Sequence, residues 1–148
     1  GRLDTRAGGP SAELTDSNTR RTIYGYVSRH RLNELLRLFD FPDPNITAGE
    51  RTVTTVPLQQ LFVLNSEFMI TQAKAFAGRL QKEAAGDEEA RISRAFMLLY
   101  GRKAEKAELQ ASLDFLKMAA TEKSGDRLSP LEQFCLAMLG TNELVYVD

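Results

Sequence analysis

A single cysteine, Cys135, a single histidine, His30, and no tryptophan leave this 148-residue chain without the material for several chemistries. One thiol excludes an internal disulfide, a CxxCH haem attachment and an all-cysteine zinc site. The one imidazole sits in "SRHRL" among arginines and has no HxxxH or HExxH partner, whereas zinc or triad chemistry assembles several such groups. Because "QFCLAML" places Cys135 in a mainly apolar helix, its thiol reads as inert and buried, and a Cys135–His30 dyad would need a tertiary contact. No apolar run approaches the ~20 residues of a membrane span, and "GRLDTRAGGP" lacks the apolar centre of a signal peptide. Charge of one sign is also missing. Nineteen basic against twenty acidic side chains give a net charge of -1, so no global field draws the chain to nucleic acid or anionic lipid.

What is present is enough for a core. A domain of this length buries roughly 68 to 70% of the surface of its unfolded chain, so 1–148 is expected to form a single helical domain without staples. Basic residues are unevenly placed: the first 73 residues hold eight arginines and no lysine, and all six lysines lie from Lys74 onward. The planar guanidinium suits bidentate pairing with carboxylates, and lysine suits solvated helix faces. Arginine–carboxylate contacts are therefore expected to hold an irregular front half, with residues 1–19 as a lead-in, and amphipathic helices to make up the back half.

Helical punctuation is clearest in that back half. In "NSEFMITQAKAFAGRLQKEAAGD", Ser66 is a cap, Phe68, Met69, Ala73, Phe76, Ala77 and Leu80 form the apolar side, and Gly86 is the stop. Asp87 caps the next helix, with Glu88 and Glu89 in its first turn, Ile92, Ala95, Phe96 and Leu99 as its stripe, and Gly101 at its end. A third runs from about Ala104 to Ala119 with Leu109, Leu113 and Leu116 on one side. "SPLEQFCLAMLG" opens with Ser129 as cap, Pro130 at the first position and Glu132 completing a capping box; Gly140 closes it and "LVYVD" is left as a tail. Connections this short favour antiparallel neighbours. The expected fold is mainly α, a small bundle of about five to seven helices with an irregular proline-containing loop.

The front half is harder to read. "RRTIYGYVSRH" fits a helix through Ile23, Tyr26 and Val27, or a minor strand pair through the alternation of Ile23, Gly25 and Val27; the helix is preferred. "LNELLRLFD" carries Leu32, Leu35, Leu36 and Phe39 at helical spacing and must break near "FPDP". Another short helix should start at Pro57, with Thr55 near its cap. Arg20, Arg21, Arg29, His30, Arg31 and Arg37 form a basic cluster opposed only by Glu34, with Tyr24 and Tyr26 among them. Such interleaving suits single-strand stacking, but nucleic-acid domains carry a basic overall balance. Intramolecular pairing or contact with a protein or anionic glycan is the better reading.

"LRLFDFPDPNITAGERTVTTVPLQQLFVLN" offers Asp40, Asp43, Asn45, Thr47 and Glu50 as hard oxygen ligands for Ca²⁺. Their order does not match the calcium loop with glycine at its sixth position and glutamate at its twelfth. The expectation is a rigid connection in which Asp40 and Asp43 accept from Arg51 or from Arg20, Arg21 and their neighbours. No catalytic, cofactor-binding or metal-binding residue is otherwise assigned.

The blocks "RRTIYGYVSR", "FDFPDPN", "RTVTTVPLQQLFVLNSEF", "RISRAFMLLYGRKAEKAEL" and "TNELVYVD" resemble, in that order, the C-terminal part of the planctomycete-type PSD domain, domain of unknown function fifteen-fifty-three. The resemblance implies context rather than chemistry, since none of these blocks is a catalytic motif. It implies a C-terminal fragment of a large extracytoplasmic protein, periplasmic or at the cell surface, with cytochrome-c-like domains and any haem upstream. Its partners would be those upstream domains and other extracytoplasmic proteins or glycans. Two positions depart from the family pattern: Glu105 stands where a Thr or Ser cap is usual, which weakens that helix start, and Cys135 falls in the last helix. A non-catalytic structural or interaction module is the favoured function. The alternative is part of a polysaccharide-related, redox-supported enzyme whose site is completed upstream, a reading that rests on family architecture alone.

Overall fold

The computed structural model describes residues 3–47, 49, 57–121 and 128–145. Among them are seven α-helices and one 3₁₀ turn. The chain forms two compact units, residues 2–62 and residues 63–148.

The first unit is largely irregular. The 3₁₀ turn spans Thr22–Tyr24, and isolated parallel bridges join Asp4 to Arg20 and Ala12 to Gly25. The helix preferred for Ile23 to Val27 does not form, and neither does a strand pair. The apolar spacing there does not serve burial, since Ile23 is 78% and Tyr26 55% exposed. Backbone bonds from Ala12 N to the Tyr24 carbonyl and from Tyr26 N to the Ala12 carbonyl, 3.0 and 2.8 Å, tie this stretch to the lead-in instead. Gly25 permits the approach: a Cβ there would stand 2.5 Å from Leu14 Cδ2 and 2.9 Å from the Thr22 carbonyl oxygen.

Helix α1, Glu34–Leu38, is shorter than the apolar spacing suggests. The Asn33 side chain accepts from Leu35 N at 2.9 Å and donates to the Leu14 carbonyl at 3.2 Å, so one amide caps the helix and anchors it. Its other end closes before the prolines. Asp40 adopts a left-handed backbone, φ 55°, and Phe41 N donates to the Leu36 carbonyl at 2.9 Å, the long-range bond of a Schellman closure. Helix α2, Pro57–Asn65, begins at the expected proline; its proposed cap, Thr55, lies outside the described residues. Phe62 meets Phe39 edge to face at 5.7 Å, and Gln59 Nε2 donates to the Leu38 carbonyl at 2.9 Å.

The second unit contains α3, Glu67–Glu83; α4, Glu88–Leu99; α5, Lys106–Thr121; α6, Pro130–Leu139; and α7, Asn142–Val145. The expected caps form. Ser66 accepts from Met69 N at 3.2 Å and Asp87 from Ala90 N at 2.8 Å. The Glu132 carboxylate accepts from Ser129 N at 2.7 Å and Ser129 Oγ from Glu132 N at 3.4 Å, completing the capping box. α3 ends at Ala84 rather than running to Gly86, and Asn142–Val145 turns helical where a plain tail is expected. α3 packs most extensively on α6, with α5 against α4 and α6. Ala73, Ala77, Leu80, Ile92, Ala95, Phe96, Leu116, Phe134, Cys135 and Met138 form one buried cluster.

Asp40→Ala and Asp40→Gly both remove the carboxylate, but only glycine enters the left-handed region without a Cβ penalty. Asp40→Gly is expected to be more stable than Asp40→Ala by about 1 kcal/mol in urea unfolding. Equal stabilities would mean that the closure after α1 does not depend on that backbone geometry.

Candidate functional site

His30 is exposed, and its backbone N–H donates to Ser28 Oγ at 3.3 Å. Cys135 is fully buried. Loss of solvation, with a smaller contribution from the negative charge of Glu132, pushes its thiol up to about 12, so a thiolate nucleophile is not available near neutral pH. Each of these residues belongs to a different unit, and neither is in a cluster of metal-ligating side chains among the described residues.

The loop residues have structural duties. Asp43 Oδ1 accepts from Asn45 N at 2.9 Å and from Asn45 Nδ2 at 3.1 Å, closing an Asx-type turn. Asn45 Nδ2 also donates to the Arg29 carbonyl at 2.9 Å. Thr47 is exposed. Glu50 and Arg51, named as a calcium ligand and an ion-pair partner, lie outside the described residues. Arg20 donates to the carbonyls of Pro10, at 3.1 Å, and Gly8, and its guanidinium stands 4.2 Å over the Tyr24 ring. Asp4 accepts a bidentate contact from Arg6, which, with minor help from the Arg20 charge, holds its carboxyl at about 2. Arg21, Arg29, Arg31 and Arg37 are exposed.

The strongest constellation among the described residues carries no catalytic or metal-binding motif. Gly101, at φ 70°, turns the chain after α4, and Arg102 then reaches two carboxylates at once. Its Nη1 and Nη2 donate to Glu108 at 2.8 and 2.7 Å, and its Nε and Nη2 donate to Glu143 at 2.7 Å each. The guanidinium carbon also lies 5.4 Å from the Phe96 ring and 5.6 Å from the Tyr100 ring. Glu108 additionally accepts from Glu105 N at 2.7 Å. The α5 start, where Glu105 supplies no Thr or Ser cap, is therefore held from its third residue.

These contacts displace the charges away from neutral titration. Hydrogen bonding to Arg102 and to the Glu105 backbone pulls Glu108 down to about 2. The same guanidinium lowers Glu143, and the two glutamates together raise Arg102. Beside them, Tyr100 Oη and Thr141 Oγ1 are 2.7 Å apart, and burial raises the phenol. Glu83 is lowered by Arg79, at 2.6 Å, and Arg94. A general acid or base works best with a pKa near the operating pH, and these shifts move each group away from it. The arrangement is a clamp joining the α4–α5 turn, the start of α5 and α7. Its sequence signal was available, since Glu108 stands three residues after Glu105 as in a capping box. No local pattern pairs Arg102 with Glu143, forty-one residues away.

A protein-family model described as PSD1, protein of unknown function (DUF1553), matches residues 1–116. Four of the five resembling blocks fall inside that match, and "TNELVYVD" lies beyond it. No curated protein and no solved structure matches the chain.

A depressed carboxylate contributes stability that is present above its unfolded value and lost as pH falls toward its folded one. Glu108 should therefore stabilise the fold above 4.5 and cease to do so near 2. In acid titrations followed by circular dichroism, Arg102→Gln is expected to flatten the loss of stability across that window; an unchanged slope would remove Arg102 as its cause. Cys135→Ser places a hydroxyl in a fully buried position. It should cost about 1 to 3 kcal/mol in urea unfolding if the hydroxyl finds no partner, and a neutral substitution would show that the pocket is polar enough to satisfy it.

Proposed function

The chain belongs to the PSD1 family of proteins of unknown function, matched over residues 1–116, and from that premise we propose that it is a non-catalytic structural or interaction module. Its place is C-terminal in a large extracytoplasmic planctomycete protein, whose cytochrome-c-like domains carry any haem upstream. This part of the chain binds neither haem nor zinc. Its partners are the preceding domains and other extracytoplasmic proteins or glycans rather than nucleic acid. No helix among the described residues is long and apolar enough to cross a membrane.

The observation that carries this reading is where the displaced charges lie. Displaced pKa values accompany catalytic clefts and structural networks alike. Here Arg102, Glu108 and Glu143 join separate elements of the helical unit, and Glu83 links α3 to Arg94 of α4. Cys135, the side chain with the most obvious nucleophilic chemistry, is enclosed in the core. These residues consolidate a scaffold.

The parent protein tests the proposal. Deleting these 148 residues should leave its haem Soret absorption intact while lowering the amount recovered outside the cytoplasm severalfold. A cytoplasmic location, or loss of the Soret band with the deletion, would overturn the proposed context. Turnover of a glycan by the isolated chain would overturn its non-catalytic role.

A further inference from the structure

A cationic stretch of sequence in the first unit has exposed side chains that the scaffold leaves largely unused. Between residues 20 and 37 stand five arginines and His30 against one carboxylate, Glu34. Arg20 is engaged by the Gly8 and Pro10 carbonyls and the Tyr24 ring. Arg21, Arg29, Arg31 and Arg37 are exposed, and none of the four is in an ion pair among the described residues. Ile23, Tyr26 and Val27, exposed to 78%, 55% and 37%, are interleaved with them.

The backbone beneath these side chains is pinned. Tyr26 N donates to the Ala12 carbonyl, the Arg29 carbonyl accepts from Asn45, and Asn33 joins the start of α1 to Leu14. A partner would thus meet a segment whose main chain is already tied down at several points, which lowers the ordering cost of binding.

We propose that residues 21–37 form a docking surface for an acidic polypeptide segment that also carries apolar side chains; this rests on the reading of the chain as an interaction module. Exposed guanidiniums are matched in charge and in fork geometry by carboxylates. Composition selects the class of partner. Protein interfaces are enriched in arginine and tyrosine and depleted in lysine, and the first 73 residues contain no lysine at all. A site for an undifferentiated polyanion has no comparable need to avoid lysine, and Ile23 and Val27 offer a polypeptide apolar contact that a sulfated glycan cannot return.

Fluorescence anisotropy of the full chain with a labelled peptide of about twelve residues, alternating glutamate with leucine and tyrosine, tests this directly. The expected result is saturable binding that weakens with salt. It should fall by about tenfold or more in the Arg21→Glu, Arg29→Glu, Arg31→Glu variant and also in the Ile23→Ser, Tyr26→Ser variant. All five side chains are exposed, so helical circular dichroism should be unchanged in both. No binding, or binding that a glutamate-only peptide or a sulfated glycan reproduces and that ignores Ile23→Ser, Tyr26→Ser, would overturn the proposal. The outcome is separable from that of the module reading, because turnover by the chain would remove the latter without altering peptide affinity.

Discussion

Close approach of α3 and α6 is the constraint around which the helical unit is built. Ala73 and Ala77 stand one turn apart on α3, both essentially without exposure, and at those positions the helix presents almost no side-chain bulk. Phe134, Cys135 and Met138 of α6 belong to the same cluster. Leu80, one turn further, is also fully buried. Interiors packed to crystal-like density tolerate few changes of volume, so the small residues on α3 and the α6 side chains that share their cluster leave little room for larger ones. α4 contributes Ile92, Ala95 and Phe96 to the same cluster, and α5 contributes Leu116.

Charge is organised around this dry centre rather than through it. The ion pairs of the helical unit lie at helix ends and on partly solvated faces, where desolvation costs remain modest and each pair alone is worth little. Arg102 differs because one planar group satisfies two carboxylates and lies beside two aromatic rings. The first unit spends its arginines in another way. Arg20 fastens backbone carbonyls, whereas four others remain exposed, so the same residue type is structural at one position and solvent-facing at the next.

Legibility followed the distance over which each physical cause acts. Caps are satisfied within three or four residues, and Ser66, Asp87 and Ser129 were readable with their helices because donor and acceptor sit in one short string. The left-handed Asp40 was not: nothing in an acidic residue before "FPDP" announces that its backbone also closes α1. The stretch around Ile23 misled because periodicity marks a helix only when one face is buried, and these apolar side chains face water. The clamp on Glu143 depends on tertiary proximity, for which a lone sequence carries no signal. Four residues of α7 are too few to establish a period.

The tether on α7 has a mechanical side. Arg102 Nε and Nη2 grip the two oxygens of Glu143 in parallel, and Thr141 just before the helix is engaged by Tyr100. A pull applied to α7 along these bonds loads them together instead of peeling them one after another, so resistance is shared until they rupture as a group. The last described turn of the chain is thus built to yield abruptly under tension, while a slow change of charge at Glu143 would release the same grip without force.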